Sequence, residues 1–411
     1  MSEERILIIA VKKPEQKDER FQSSLEELIS LGKTAGGTVE RVITQNRTRI
    51  HPATYIGEGK MEEIKRDVKN FDIDLIISND ELSPGQLRNL NNYFGVRIID
   101  RSQLILDIFA GRAKTKEGKL QVELAQLEYM LPRLGGQGVE LSRLGGGIGT
   151  RGPGETKLES DRRHIRNRIT EIKRRLKLVV KQREQYRKRR KLNAAFQIAI
   201  VGYTNAGKST IFNRLTSSDS LEENQLFATL DPLTRKINLP SGFQALLTDT
   251  VGFIQDLPTA LIASFRSTLE EVNEADFLLH VVDVSQENQV EQQKTVMKLL
   301  EELDAKSIPM LTVYNKRDLT EEDVIPLQHP YIFISAYESE DLEKLLYKIE
   351  SVLRELWEEY SVEIEPENGN ALVKLERNTI VTDKQFDEDE NKYIIQGYKN
   401  INDPLIYITK N

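Results

Sequence analysis

The sequence predicts an α/β protein built in four parts, and three observations carry that prediction. Apolar, strand-like runs alternate with amphipathic helical stretches over residues 1–110 and again over 196–355. Between them lies a glycine-rich stretch, followed by a long basic helix with one narrow apolar seam. Residues 361–411 hold only short segments around acidic turns. The expected division is an N-terminal α/β domain over 1–115, a glycine-rich loop and basic helical hairpin over 116–193, a second α/β domain with a doubly wound sheet over 194–358, and a small α+β domain over 359–411.

In the first part, Ile6–Val11 (ILIIAV) reads as a buried strand and Phe21–Leu31 as an amphipathic helix carrying Phe21, Leu25, Leu28 and Ile29 on one face. Gly36-Gly37 turns into a second strand at Thr38–Thr44. Further strands are expected at Leu75–Ser78 and Val96–Ile99, with helices at Met61–Lys69 and Pro84–Tyr93 between them. Gly57-Glu58-Gly59-Lys60 reads as a helix entry, and no phosphate-binding loop appears in residues 1–110. In the second part, Lys119–Tyr129 is helical by period, and the basic helix runs from about Leu158 to Leu192. Ile165, Ile169, Ile172, Leu176, Val179 and Val180 recur at spacings of three and four, which pairs this rod with the preceding helix and leaves Gly135–Gly154 as the tip. Long glycine-rich loops of this kind are disproportionately functional.

Composition narrows the function classes. The chain has 411 residues, 38% hydrophobic and 30% charged, and no apolar run long enough to span a bilayer. It has no cysteine, which excludes disulfides and thiolate metal sites, and a cytoplasmic location without stable membrane insertion is expected. His51, His164, His280 and His329 show no metal-ligand spacing and are expected to be surface or satisfied core residues. The net charge of −7 is unevenly spread. Lys157–Lys191 contains 16 Lys and Arg against four acidic residues, so this segment carries +12 and the remainder −19. Such segregation points to a polyanionic partner for one segment.

The third part carries the chemistry. Strand Ile198–Val201 runs into Gly202-Tyr203-Thr204-Asn205-Ala206-Gly207-Lys208-Ser209-Thr210 and then a helix, the G-x-x-x-x-G-K-S pattern in its required strand–loop–helix setting. Glycines let the backbone wrap phosphates, and successive N–H groups at a helix N-terminus supply donors and positive potential. Lys208 is expected at the β- and γ-phosphates and Ser209 on Mg²⁺. Asp249-Thr-Val-Gly252 ends the next strand; Asp249 is expected to hold Mg²⁺ through its water shell, and the Gly252 amide to touch the γ-phosphate. Asn315-Lys316-Arg317-Asp318 follows strand Leu311–Tyr314. The Asp318 carboxylate can accept from N1–H and N2–H₂ of guanine, which adenine cannot match. Asn315 is expected to brace the loop, the Lys316 stem to cover the base, and a backbone amide of Ser335-Ala336 to read guanine O6. Four such elements in order, each at a strand end, predict a Ras-like P-loop G domain that binds GTP and GDP and hydrolyses GTP.

The combination GYTNAGKST, FATLDPLTR, LLTDTVGFIQDLP and YNKRD, preceded by RLGGGIGTRGPGETKLE and a basic helical hairpin, resembles the HflX family over most of the chain. The resemblance implies a GTPase that binds the large ribosomal subunit and splits or rescues 70S ribosomes under stress, as a monomer and without DNA. It implies that Thr229 in FATLDP is the switch I threonine meeting Mg²⁺ and the γ-phosphate, with Thr234 as the competing candidate. Phe253 stands where Ras-like proteins place a water-orienting Gln, and an apolar ring cannot polarise water, so slow intrinsic hydrolysis is expected. Asn205 is a candidate K⁺ ligand beside the phosphates or a stabiliser of the loop. The basic helix and the loop tip offer Arg143, Arg151, Arg163, Arg174, Arg187 and Arg190 to rRNA, and the scarcity of interleaved aromatics favours docking on folded RNA. Three alternatives remain at this stage: a large-subunit assembly GTPase, a regulatory switch binding a protein partner, and an ATP-dependent RNA remodeller centred on the N-terminal domain.

Overall fold

The computed structural model describes residues 3–136, 153–192, 195–216, 226–227, 229–255, 272–320 and 324–401, excepting the side chains of 153–158, 180 and 182–192. The chain divides into two compact units, one of Met1–Val180 with Gln225–Leu230 and Gln255–Arg266, the other of Lys181–Asn224, Asp231–Ile254 and Ser267–Asn411.

The first unit holds β1 (Glu4–Lys12), α1 (Asp18–Thr34), β2 (Gly37–Asn46), α2 (Glu58–Asn70), β3 (Leu75–Ser78), α3 (Pro84–Phe94) and β4 (Arg97–Asp100). The four strands form a parallel sheet in the order β2-β1-β3-β4. β1 is apolar and buried from Ile6 to Val11, as a central parallel strand covered on both faces requires. Tyr55 ties the β2–α2 connection to the sheet: its hydroxyl accepts from the Val11 amide at 3.0 Å and donates to Asp80 at 2.5 Å. α3 starts on a Ser83/Gln86 capping box and ends on Gly95 at φ 70°.

A helix that the sequence pattern does not announce follows: α4 (Arg101–Arg112), capped by Asp100. Leu104, Ile105, Leu106, Ile108 and Phe109 are all buried, so its apolar residues run almost consecutively and blur the helical period. Phe109 meets Phe227 edge-on at 4.6 Å within this unit.

The expected helical hairpin is present as α5 (Lys116–Met130) and α6 (Pro153–Leu192). Leu124 of α5 packs with Ile169 and Ile172 of α6, flanked by Leu120, Leu127, Ile165 and Leu176. Ion pairs border the seam: Arg168 grips Glu123 with two bonds of 2.7 and 2.9 Å, and Lys173 reaches Glu128 at 2.8 Å. Ile172 has no exposure, so Ile172→Ala is expected to weaken the hairpin by about 3 kcal/mol. Hydrogen exchange should accelerate across Lys116–Met130 while the strands of the second unit keep their protection; unchanged exchange in α5 would contradict the seam's role. Residues 137–152, which include Arg143 and Arg151, lie outside the described residues.

The second unit holds β5 (Phe196–Gly202), α7 (Lys208–Thr216), β6 (Leu233–Asn238), β7 (Gln244–Asp249), β8 (Phe277–Asp283), α8 (Gln289–Glu302), β9 (Met310–Asn315), β10 (Tyr331–Phe333) and α9 (Ser339–Leu356). Its sheet runs β10-β9-β8-β5-β7-β6, parallel except for β6. β6 escapes the pattern reading because it is an edge strand with Arg235 and Lys236 exposed. One core cluster covers the face carrying Ile198, Ile200, Leu279 and Val281, and another the face carrying Ala199, Val201 and Leu278.

The last helix of this sheet ends at Leu356. Trp357 is extended and packs edge-on against Phe196 at 5.4 Å and Phe243 at 5.1 Å, which fixes the chain's exit. The chain then forms β11 (Glu358–Ile364), α10 (Gly369–Asn378), β12 (Ile380–Asp387) and β13 (Lys392–Lys399), with antiparallel order β11-β13-β12. The ALVKLE stretch is thus a helix, with Leu372 and Leu375 facing Ile364 and Ile395. Ile380 and Tyr398 join the core of the larger sheet, so the small α+β part shares a core with its neighbour.

Candidate nucleotide site

Strand order reverses around β5, with β7 on one side and β8 on the other, and open parallel sheets bind ligands in the crevice at the carboxyl end of such a strand. β5 delivers Gly202 there at φ 152°; a Cβ on it would lie 2.3 Å from the Val281 carbonyl oxygen. Gly207, at φ 95°, passes so close to Asn315 that a Cβ would lie 2.2 Å from its Nδ2. Neither position admits a side chain, which explains both glycines of the motif.

Lys208 opens α7, and its Nζ folds back to donate to the Tyr203 carbonyl at 2.6 Å. Burial lowers the Lys208 pKa to about 8; Asp249 opposes that shift and Lys316 adds to it. Ser209 Oγ donates to Asp249 Oδ2 at 2.8 Å, and Asp249 is fully buried at the end of β7. Thr210 lies half-buried in the first turn of α7, and Asn205 is exposed at φ 61°. His280 of β8 sits opposite Val201. Burial first, and Lys208 second, hold its pKa down to about 4, so the ring is neutral at physiological pH. Its Nδ1 has no hydrogen-bond partner, so this histidine is a core residue that is not fully satisfied.

The turn after β7 is clamped to the phosphate loop. Thr204 N–H donates to the Phe253 carbonyl at 2.8 Å, and Phe253 N–H donates to the Gly202 carbonyl at 3.1 Å. Thr250 Oγ1 donates to the Ile200 carbonyl at 2.6 Å. Gly252 sits between these bonds, and a Cβ on it would approach Lys208 Nζ to 3.0 Å. The Phe253 ring is buried with Ala199, Val201, Tyr203 and Leu278. It therefore serves the core.

Three segments at the carboxyl end of the sheet converge on Asn315. Its Nδ2 donates to the Ala206 carbonyl at 2.9 Å, and its Oδ1 accepts from Ala336 N–H at 3.0 Å. One buried side chain thus joins the loop Gly202–Gly207, β9 and the segment after β10. The Ala336 amide, a candidate reader of guanine O6, is engaged with Asn315, and the Ser335 amide donates to Asp341 at 2.9 Å. Lys316 adopts φ 64° and its Nζ pairs with Asp283 at 2.7 Å, which ties its stem to the end of β8. Asp318 lies exposed in the turn Arg317–Leu319.

Asp283 and Asp341 are functional supports that the motif reading missed. An acid ending a fully buried strand (HVVDVS) was the available signal for Asp283; nothing local marks Asp341. Thr234 Oγ1 lies 3.0 Å from Thr248 Oγ1 across the β6–β7 pair, a contact within the sheet. Thr229 is half-buried and belongs with the first unit. Arg163 and Arg174 are exposed on α6, whereas the side chains of Arg187 and Arg190 fall outside the described residues.

A glycine-lined loop at a helix N-terminus, a buried lysine and a Ser–Asp oxygen pair, all on one doubly wound sheet, define a P-loop GTP hydrolase. Residues 22–110 match the family described as GTP-binding GTPase N-terminal, 112–190 the GTP-binding GTPase Middle Region, and 197–316 the 50S ribosome-binding GTPase. The chain is 56% identical over 384 residues to the GTPase HflX of Alkalihalophilus pseudofirmus, covering 93% of this chain and 91% of that one. It is 53% identical over 361 residues to the GTPase HflX of Caldanaerobacter subterraneus subsp. tengcongensis, covering 88% and 82%. It is also similar to a solved complex of SsGBP with GDP, at 27% identity and a TM-score of 0.49, covering 85% of this chain and 98% of that one. The chain belongs to the HflX family of GTPases. No helix among its described residues is long and apolar enough to cross a membrane.

Proposed function

We propose that the chain is a GTP-switched factor that binds the large ribosomal subunit and splits or rescues 70S ribosomes, with stress as its setting. The observation that carries this reading is the division of labour on α6. Its apolar seam is used up against α5, and Arg168 and Lys173 pair with glutamates there, while Arg163, Arg166 and Arg174 stand exposed along the rest of the rod. Exposed arginines on a rigid helix suit the phosphates of folded RNA. The family description of residues 197–316 as a 50S ribosome-binding GTPase supports the same partner.

In this reading Lys208 contacts the β- and γ-phosphates, the backbone of Gly202–Gly207 cradles them, and Asn315, Lys316 and Asp318 hold the guanine. The hydroxyl of Ser209 and the carboxylate of Asp249 are a hard oxygen pair beside a helix N-terminus, and they fit Mg²⁺, with Thr229 completing the set in the GTP form. Mg²⁺ there would neutralise charge on the β- and γ-phosphates. The Gly252 amide reports the γ-phosphate. Asn205, exposed at a positive φ beside the phosphates, is the candidate K⁺ ligand.

The experiment is co-sedimentation with large subunits across a salt series. Replacing Arg163, Arg166 and Arg174 by Gln should lower affinity by about tenfold or more and flatten the log–log salt slope by about 2. GDP affinity should stay at the parent value; an equal loss of GDP affinity would overturn the separation of the two modules. Incubating 70S ribosomes with the protein and a non-hydrolysable GTP analogue should yield free subunits. Intact 70S would favour a role on immature large subunits. GTP turnover should rise with large subunits, and a further rise in KCl over NaCl would assign Asn205 its cation.

A further inference from the structure

With Phe253 facing the core, hydrolysis needs another group to orient the attacking water. Gln255, three residues after Gly252, belongs to the first unit. It is buried, and its amide donates to Ser23 Oγ at 3.2 Å in the first unit. Thr204 is differently placed. It stands third in the phosphate loop, 6% exposed, and its Oγ1 is buried with no hydrogen-bond partner. Its backbone is pinned opposite Gly252 by the Thr204–Phe253 bond. A Cβ on Gly252 would meet Thr204 Cγ2 at 2.8 Å, Thr204 Cα at 3.0 Å and Lys208 Nζ at 3.0 Å. The threonine side chain and the lysine ammonium therefore both come within contact range of the Gly252 backbone, which sets Thr204 beside the terminal phosphate that Lys208 holds in the proposed site.

A buried hydroxyl normally has a partner, and an unpartnered one in a native site calls for an explanation. We propose that the Thr204 hydroxyl is a catalytic residue of GTP hydrolysis that orients the attacking water on the γ-phosphate. A hydroxyl can accept from the water and donate to a γ-phosphate oxygen at the same time, which an apolar ring cannot do. The two staggered χ1 settings that exchange its methyl and hydroxyl let Oγ1 meet the substrate without backbone movement. The water oxygen forms the new bond to phosphorus as the bond to the β-phosphate oxygen breaks, and the water's proton ends on the phosphate. Thr204 itself gains and loses no net proton.

This proposal rests on the phosphate-loop reading of residues 202–209, and the test separates the two. Single-turnover GTP hydrolysis and fluorescent-GDP binding are measured on the full chain for the parent, Thr204→Val and Thr204→Ser, in KCl. The isosteric Val variant should hydrolyse about a hundredfold more slowly, bind GDP as the parent does, and lose formation of the GDP–aluminium fluoride complex. Ser should restore turnover to within about threefold, since it keeps the hydroxyl. Parent-like turnover in Val would overturn the proposal. So would a loss of GDP affinity equal to the loss of rate, since that marks a group that only holds the loop. Should Val fail to fold, Thr204→Ala is read in its place against Ser. Absence of GDP binding in the parent itself would instead overturn the phosphate-loop reading.

Discussion

Lys208→Ala lowers GTP turnover by about a thousandfold and abolishes stabilisation by GDP, while the chain still folds. The expectation follows from what the lysine does in each state. Lys208 is 6% exposed, lies against the Tyr203 carbonyl, and has its pKa pulled down to about 8 by burial. An ammonium in that position is poorly solvated, so removing it costs the fold little, within about 1 kcal/mol. In the proposed nucleotide site the same ammonium would contact the β- and γ-phosphates, where each charge-assisted contact contributes about 1.5–3 kcal/mol. Thermal unfolding with and without GDP reads the difference: the parent gains about 2.7 kcal/mol at a hundredfold excess over Kd, and the variant gains nothing. Turnover that survives in the variant would place hydrolysis outside this loop and return attention to the N-terminal domain.

Asp318→Asn reduces GDP affinity by about a hundredfold and shifts preference toward xanthine nucleotides. Guanine offers two donors, N1–H and N2–H₂, and an ionised carboxylate accepts both. An amide sets its own NH₂ against one of those donors, which removes one bond and adds a clash of like polarity. Xanthine carries a carbonyl where guanine carries the amino group, so the amide is matched again. The residue is exposed in the turn Arg317–Leu319, so the substitution leaves stability unchanged, and the effect is confined to binding. Competition of fluorescent GDP by GDP, XDP and ADP measures it. Undiminished GDP affinity in the variant would remove Asp318 from base recognition.

Both predictions were legible in the sequence because the residues involved act through local backbone physics. A strand that ends in G-x-x-x-x-G-K-S and continues as a helix presents its amides to an anion wherever it occurs. Gly202 and Gly207 occupy backbone that a side chain would block, so their identity alone reports close approach. The seam of Ile165, Ile169, Ile172 and Leu176 announced the hairpin for the same reason, since helical period and apolar spacing belong to one segment. Where burial surrounds an element, that signal fades: α4 is apolar on several faces, and β6 is a charged edge, so neither stood out.

The sequence by itself determined the chemistry of the site, the order of its elements, and the charge that sets α6 apart from the rest of the chain. Only the tertiary structure decided which partners the site residues keep. Asn315 joins Ala206 to Ala336, Lys316 crosses to Asp283, Trp357 packs edge-on against Phe196 and Phe243, and Thr204 faces Gly252 across a clamp that turns Phe253 into the core. Each of these contacts joins segments that are remote in sequence. Their distances follow from how strands register and cores pack, and neither period nor local propensity encodes that.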